Sequence, residues 1–252
     1  MTFYLGVPVD PASELRMYCF HHAGGGPSLF RGWQRALAPE VQVLPVLLPG
    51  RDRRIREPRF TDIDRLVKEL DRELGPSLEQ PYVLFGHSMG ALIAHRLAAY
   101  RSTAGGRLPE AVILSGCRPP HLPSGLPPAD RVSEAKLVSW LNEVGGLPDE
   151  LLQRPEWLAL LLPILVDDLT LCASAAQQPF TRLPCPVHVF GGDEDPLAGS
   201  HELSAWRTHA DAEFTVTTCS GGHFYLKDSP AQLLAHLRKA LCRYRSPLRT
   251  SS

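Results

Sequence analysis

The chain has 252 residues, of which 44% are hydrophobic and 21% are charged, as is usual for a soluble globular domain. Its formal net charge of −1 argues against a nucleic-acid-binding protein and against a general role on a membrane surface. Residues 1–11 do not have the pattern of a signal peptide, and the longest apolar stretch, residues 157–166, is interrupted by Pro163. We therefore expect one cytoplasmic domain, residues 1–252, without a membrane span.

Short apolar segments alternate with segments of helical spacing along most of the chain. Strands are predicted at residues 15–21, 41–48, 82–85, 111–115, 187–190 and 213–217. Helices are predicted at residues 28–37, 62–74, 91–100, 200–208 and 230–241, the second of them with Thr61 as its N-cap. This alternation predicts an α/β fold with a mostly parallel sheet that helices cover on both faces.

The alternation is interrupted between the fourth and fifth predicted strands. Residues 119–128 hold five prolines, and residues 133–178 have helical spacing without a strand. We interpret residues 121–180 as a helical lid over the carboxyl edge of the sheet. The alternative is a set of extra core helices packed on a sheet face. At the other end, residues 243–252 are basic and polar and predict a frayed tail.

The 6 cysteines are scattered and form no C-x-x-C pair. In a chain of this size without a secretion signal, such thiols are typical of reduced core residues. None of the 10 histidines has a recognised metal-ligand spacing with cysteine or carboxylate residues. The sequence therefore predicts neither a metal site nor a cofactor.

The third predicted strand runs directly into Gly86-His87-Ser88-Met89-Gly90, and a predicted helix follows. A sharp strand-to-helix turn of the G-x-S-x-G type exposes its serine as a nucleophile. Small residues two positions before and two after the serine allow the chains to pass closely. Ser88 is therefore the candidate catalytic nucleophile.

A nucleophilic serine needs an acid and a base, which in this kind of fold follow later strands in the order serine, acid, histidine. The acid is predicted after the fifth strand, where Asp195 precedes Pro196. Asp193 is the alternative acid, and a merely solvated acidic turn is the third interpretation. His223, on a glycine-rich loop after the last strand, is the predicted general base because the other histidines lie in helices, in a strand or beside the nucleophile.

Two backbone N–H groups are predicted to hold the oxyanion of the reaction. One belongs to Met89, at the start of the helix after the nucleophile, where the helix dipole also favours negative charge. The second is most simply that of Ala23 in the glycine-rich loop after the first strand. A dinucleotide-binding turn is disfavoured there because the spacing is not G-x-G-x-x-G.

Together these motifs resemble the stand-alone (type II) thioesterases of modular polyketide and non-ribosomal peptide synthesis, which belong to the α/β-hydrolase superfamily. The resemblance covers almost the whole chain. It rests on residues 19–25 (CFHHAGG), 48–51 (LPGR) with Glu57-Pro58, 86–90 (GHSMG), 115–121 (SGCRPPH), 162–165 (LPIL) with Asp168, and 221–226 (GGHFYL).

The resemblance implies a triad of Ser88, Asp195 and His223, with Ala23 and Met89 at the oxyanion hole. It also implies that the substrate is an acyl thioester on the phosphopantetheine arm of a carrier protein, and that the enzyme edits mis-acylated or stalled synthases. We expect a monomer with no nucleic-acid or membrane partner.

Four positions depart from the family's pattern. His21 replaces a usual proline, and Val166 replaces a usual arginine. Ala173 and Ala175 stand where an acidic and an aromatic residue are expected, which leaves the shape of the acyl chamber and the acyl preference open.

Two further questions, the reaction class and the role of a basic segment, stay open at this stage. An oxygen-ester hydrolase (a carboxylesterase or lipase) on the same fold, a product-releasing thioesterase and a non-catalytic binding protein are the alternatives to an editing enzyme. The arginines of the segment after Pro49, namely Arg51, Arg53, Arg54 and Arg56, are either a solvated basic loop or a contact for an acidic carrier protein or its phosphate.

Overall fold

The computed structural model describes residues 2–128, 131–147 and 153–244. Within them, six parallel strands form one sheet in the order β2-β1-β3-β4-β5-β6. The strands are β1 (Arg16–Phe20), β2 (Gln42–Pro45), β3 (Tyr82–His87), β4 (Ala111–Ser115), β5 (Val187–Gly192) and β6 (Phe214–Cys219). All six strands were predicted, and the mostly parallel α/β architecture is confirmed.

The burial of each strand follows its place in the sheet. Every residue of β1, β3, β4 and β5 is buried, as the continuous apolar runs indicate. The edge strand β6 instead alternates and leaves Val216 exposed. The other edge strand, β2, is shorter than predicted because Leu47 leaves the sheet and its N–H donates to Tyr4 O at 2.8 Å.

The described helices are α1 (Trp33–Leu37), α2 (Ile63–Leu74), α3 (Met89–Ala104), α4 (Glu134–Glu143), α5 (Pro155–Ala175), α6 (Ser200–Ala205), α7 (Tyr225–Asp228) and α8 (Pro230–Leu241). The predicted helix at residues 28–37 is divided into a 3₁₀ turn, Pro27–Phe30, and α1. The division falls at Gly32, whose φ of 84° interrupts the helix. The predicted helix at residues 200–208 likewise divides into α6 and a 3₁₀ turn, Trp206–His209.

The predicted N-cap of α2 is wrong by one residue. Asp62, not Thr61, precedes the helix in an extended conformation, and its Oδ1 accepts a hydrogen bond of 2.8 Å from Arg65 N–H. A carboxylate in this position accepts a hydrogen bond from a free N–H of the first turn. Its negative charge also interacts favourably with the positive end of the helix dipole.

Two apolar clusters form the core, one on each face of the sheet. Because successive strand residues point to opposite faces, Tyr18 and Phe20 of β1 join the first cluster, and Met17 and Cys19 join the second. The helices α2 and α3 pack in the first cluster, and α1 and α8 pack in the second.

The inserted helices α4 and α5 contribute to two different clusters. Leu162 and Leu165 of α5 pack with Leu137 and Leu141 of α4 in a third apolar cluster. The last turns of α5, including Cys172 and Ala175, belong to the main core beside α2 and α3. The first part of α5 therefore packs mainly against α4, and its end packs in the main core; whether residues 121–180 act as a lid stays a prediction. Parts of the predicted lid, residues 129–130 and 148–152, and the predicted tail from residue 245 onward lie outside the described residues.

Pro163 does not interrupt α5, contrary to our prediction. Both Pro163 and Ala159 are exposed, so the carbonyl that would have bonded to the missing N–H lies at the solvent side of the helix. As a result Glu156–Ala175 is long and apolar enough to cross a membrane by length and composition alone, with a mean hydropathy of 1.8. Its inner face is packed in the domain, and buried Asp168 lies on that face.

Candidate active site

Ser88 lies on a tight turn between β3 and α3, at the carboxyl edge of the sheet. Its backbone has φ 55° and ψ −117°, a strained conformation for a residue with a side chain. A Cβ at Gly86 would lie 1.9 Å from the carbonyl oxygen of Gly90, and a Cβ at Gly90 would lie 2.1 Å from the carbonyl oxygen of Phe20. The turn therefore requires both glycines for steric reasons, as the pattern indicates.

The structure brings His223 and Asp195 into direct contact. The loop after β6 carries His223, and the turn after β5 carries Asp195. His223 Nδ1 lies 2.9 Å from Asp195 Oδ2, and both side chains are buried. The other oxygen, Asp195 Oδ1, accepts a hydrogen bond of 2.8 Å from Leu197 N–H, which fixes the carboxylate in its turn.

Ser88 and His223 line one cavity of about 160 Å³. No hydrogen bond joins their side chains in the part of the chain that the structure describes. A serine and a histidine without a bound substrate are often further apart than in the reacting complex.

Asp193, the alternative acid, has a different place. It is exposed, and its Oδ1 accepts a hydrogen bond of 2.8 Å from Gly221 N–H, two residues before His223. It thus braces the histidine loop without contacting the imidazole, so the contact with His223 distinguishes Asp195 from Asp193.

Behind His223 lies a buried polar group that the sequence reasoning missed. The ring of His87 is 5.0 Å from the ring of His223, and His87 Nδ1 lies 2.9 Å from Ser115 Oγ. Ser115 Oγ in turn lies 2.5 Å from the hydroxyl of Tyr225. Burial lowers the pKa of His87 well below its ordinary value, and the neighbouring His223 lowers it further. The only sequence signal was the position of His87 next to the nucleophile.

The glycine-rich loop after β1 also has two histidines, of which His21 is buried and His22 is partly exposed. Burial lowers the pKa of His22 to about 3, with a smaller contribution from Lys227. Burial likewise lowers the pKa of His21 to about 3, with a smaller contribution from Arg51. Neutral imidazoles can bond to the neighbouring backbone, and His22 Nδ1 lies 2.9 Å from Ala23 O.

The two predicted oxyanion donors are both free of intramolecular partners. Neither Ala23 N–H nor Met89 N–H donates to another described residue. Met89 is the first residue of α3, and its first-turn N–H is unbonded for the ordinary reason that no preceding carbonyl reaches it.

The cavity at Ser88 is apolar. Its walls come from the segment after β4, including Cys117 and Leu126, and from the end of α5, including Ala173 and Ala175. A second cavity of about 230 Å³ shares Leu92, Ala175 and other residues with the first. Two small side chains at positions 173 and 175 therefore lie at the cavity wall, where they affect its shape.

Two of the four arginines of the basic segment, Arg51 and Arg54, are buried, so they are not part of a solvated loop; Arg53 and Arg56 are exposed. Arg51 is buried and forms a bidentate salt bridge with Asp168 of α5, with N–O distances of 2.8 and 3.0 Å. Arg54 is also buried, binds Glu57 and lies over the ring of Tyr4. Arg53 donates to the carbonyl oxygens of Phe3 and Leu5, and Arg56 is exposed.

The cysteines are free thiols. Five are buried, but Cys242 is exposed, contrary to the prediction that all six are core residues. Burial raises the pKa of Cys117 to about 12 and raises the pKa of Cys172 well above its ordinary value. Among the described residues, no group of three or more His, Cys, Asp or Glu side chains is arranged to hold a metal ion.

A family model described as a thioesterase domain matches residues 16–241. The chain is 36% identical over 235 residues to a Brevibacillus parabrevis protein named linear gramicidin dehydrogenase LgrE, covering 92% of this chain and 89% of that protein. A dehydrogenase would need a dinucleotide-binding site, but the glycine-rich loop of this chain lacks the dinucleotide-binding spacing.

Two solved structures are similar over nearly the whole fold. RedJ, a thioesterase from the prodiginine biosynthetic pathway of Streptomyces coelicolor, is 36% identical with a TM-score of 0.87 and coverage of 93% of each chain. BorB, the type II thioesterase from the borrelidin biosynthetic cluster, is 33% identical with a TM-score of 0.83, covering 94% of this chain and 97% of that one.

Proposed function

The chain belongs to the thioesterase family, and from this premise we propose that Ser88, His223 and Asp195 hydrolyse acyl thioesters on the phosphopantetheine arm of a carrier protein. The relatives are thioesterases of polyketide and non-ribosomal peptide pathways, so thioester hydrolysis is the activity of this family. The observation that supports the proposed residues is the buried 2.9 Å contact between His223 and Asp195 beside the cavity of Ser88.

The first half of the reaction transfers the acyl group to the enzyme. His223 accepts the proton of Ser88 as Oγ attacks the thioester carbonyl, and Asp195 orients the imidazole and stabilises its positive charge. The carbonyl oxygen becomes an oxyanion that accepts hydrogen bonds from Ala23 N–H and Met89 N–H. The tetrahedral intermediate collapses, and the pantetheine thiol leaves with the proton from His223.

The second half releases the acyl group. His223 accepts a proton from water, which attacks the acyl-serine carbonyl. The same N–H groups hold the second oxyanion, and Ser88 leaves with the proton from His223. The products are a carboxylic acid and a carrier protein with a free thiol.

The apolar cavity accommodates the acyl part of the substrate. We propose that the biological role is editing, in which mis-acylated or stalled carrier domains are returned to their free-thiol form. In this proposal the enzyme acts in the cytoplasm as a monomer, with the acylated carrier protein as its partner and with neither nucleic acid nor a membrane.

Intact-mass measurement of an acylated carrier protein tests this proposal. Wild-type enzyme should restore the mass of the free-thiol carrier, and Ser88→Ala should leave the acylated mass unchanged because the nucleophile is missing. Equal deacylation by the two proteins would refute Ser88 as the nucleophile.

A matched oxygen ester tests the substrate class. Hydrolysis of an acyl pantetheine thioester should be faster than that of the oxygen ester with the same acyl chain. A strong preference for the oxygen ester would contradict the editing role and favour a carboxylesterase or lipase.

A further inference from the structure

One face of the lid helix α5 lies on the glycine-rich loop that contains Ala23. A Cβ at Gly24 would lie 3.4 Å from a methyl carbon of Leu161 and 3.6 Å from one of Leu165. Asp168 Oδ2 accepts a hydrogen bond of 2.8 Å from Gly24 N–H. The spacings of four and three residues place these three side chains on one face of α5, so successive turns of the helix contact one glycine.

Asp168 is a buried carboxylate with a full set of partners. It is 2% exposed, and Arg51 donates to both of its oxygens. Arg51 Nη1 also donates to Gly25 O at 3.1 Å, in the same loop. Removing a charge from water is unfavourable unless it is paired and hydrogen-bonded, and here the ion pair holds the carboxylate in a single position.

The peptide groups on both sides of Ala23 are fixed by hydrogen bonds. The carbonyl oxygen of His22 accepts from Gly25 N–H at 3.0 Å and from Nδ1 of His21 at 2.9 Å. The carbonyl oxygen of Ala23 accepts from Nδ1 of His22, while Gly24 N–H, in the same peptide group, donates to Asp168. In the described part of the loop, Ala23 N–H donates to no other residue, while the peptide groups around it are held in place.

We propose that Asp168 is a positioning residue for the oxyanion hole, because its carboxylate fixes the Ala23–Gly24 peptide and thereby directs Ala23 N–H toward the substrate. The carboxylate belongs to the lid helix, so the lid contributes to catalysis as well as forming a wall of the cavity. This inference rests on the proposed function, since it assumes that Ala23 N–H binds an oxyanion. Arg51 acts through Asp168 by neutralising and orienting it.

The first test is Asp168→Ala, with Asp167→Ala as a matched control. Asp167 is the preceding residue of α5; it is partly exposed and pairs with Arg59 at 2.6 Å rather than with the glycine-rich loop. We expect Asp168→Ala to lower kcat by about 10- to 100-fold with KM nearly unchanged, because a misplaced donor weakens binding of the transition state and not of the substrate. Asp167→Ala should retain wild-type kcat.

A second readout separates positioning from general damage. A pantetheine-like trifluoromethyl ketone forms a tetrahedral adduct with Ser88 that has an oxyanion, whereas a non-hydrolysable thioester analogue does not. Asp168→Ala should weaken binding of the ketone by the same factor as kcat/KM and leave binding of the thioester analogue unchanged. An equal loss for both ligands, or a kcat like that of Asp167→Ala, would overturn the proposal.

A pair of double variants covers the case in which Asp168→Ala does not fold because it leaves Arg51 buried without a partner. Arg51→Met/Asp168→Asn keeps an acceptor for Gly24 N–H, and Arg51→Met/Asp168→Leu removes it at similar volume. The Leu variant should have a kcat about 10- to 100-fold below that of the Asn variant. Equal kcat values for the two double variants would overturn the proposal. Deacylation by the wild-type enzyme in the same assay tests the proposed function separately, so the failure of one can be distinguished from the failure of the other.

Discussion

The turn around Ser88 and the helix α5 both border the active-site cavity, but different forces hold them in place. The turn is determined by sterics over a few residues, since Gly86 and Gly90 leave no room for a side chain. The helix is placed by contacts with distant parts of the chain, which include the salt bridge between Arg51 and Asp168 and the apolar packing of its inner face. The comparison indicates that the turn around Ser88 depends on local geometry and that α5 depends on buried contacts with distant parts of the chain.

The largest effect is expected in a neighbouring turn, the one after β5, and Asp195→Asn against Asp193→Asn tests it. Asparagine at 195 cannot hold the imidazole of His223 in the required tautomer or stabilise its charge, so kcat should fall by about 10⁴-fold. Asp193→Asn keeps an oxygen acceptor for Gly221 N–H and should lose far less activity. Steady-state deacylation rates of the two variants measure this difference. A larger loss of activity in Asp193→Asn than in Asp195→Asn would identify Asp193 as the acid.

Gly90→Ala tests the steric basis of the turn, with Gly6→Ala as its control. The new Cβ at 90 would lie 2.1 Å from Phe20 O, a backbone atom in the central sheet, so the protein should lose about 3 kcal/mol of stability or more. A Cβ at the exposed Gly6 would lie 3.9 Å from Arg53 Nη1, which is an ordinary van der Waals contact. Chemical denaturation should show Gly6→Ala with nearly unchanged stability. Equal stability of the two variants would refute the steric account.

The buried histidines near the turn and in α3 predict sensitivity to acid. Burial lowers the pKa of His21, His22 and His95 to about 3, from an ordinary value of 6.5. The unfolded chain therefore binds protons first as the pH falls, so stability is full above pH 6.5 and is lost progressively toward pH 3. Each such histidine adds up to about 1.4 kcal/mol per pH unit to this slope.

Denaturation curves between pH 7 and pH 5 measure this effect. His95→Phe should reduce the slope of stability against pH, whereas His201→Gln should leave it unchanged because His201 is exposed. A stability that does not fall between pH 7 and pH 5 would contradict the account of neutral buried histidines.

The sequence was sufficient for the parts of the fold that depend on local patterns. Short segments rich in apolar or β-branched residues predicted all six strands, and the chain order of motifs brought Asp195 and His223 to one edge of the sheet. The contact between these two side chains follows from parallel strands that end at the same edge. The N-cap at Asp62 was missed by one residue because Thr61 and Asp62 are both good caps, and only the backbone conformation distinguishes them.

Contacts between residues far apart in the chain could not be predicted. Arg51 lies in a run of arginines that is typical of an exposed loop, yet its partner is 117 residues away. Pro163 normally ends a helix, but its place on the exposed side of α5 makes it tolerable. The group formed by His87, Ser115 and Tyr225 likewise joins three segments whose proximity only the folded sheet creates.

The most direct test of the central claim is to locate the nucleophile chemically. Wild-type protein would be treated with an alkyl fluorophosphonate, and the modified residue would be identified by peptide mass spectrometry while carrier deacylation is followed. We predict one phosphonyl group per chain, on Ser88, with loss of deacylation in proportion to labelling. Deacylation that survives complete modification of Ser88, or inactivation with the label on another residue, would contradict the account.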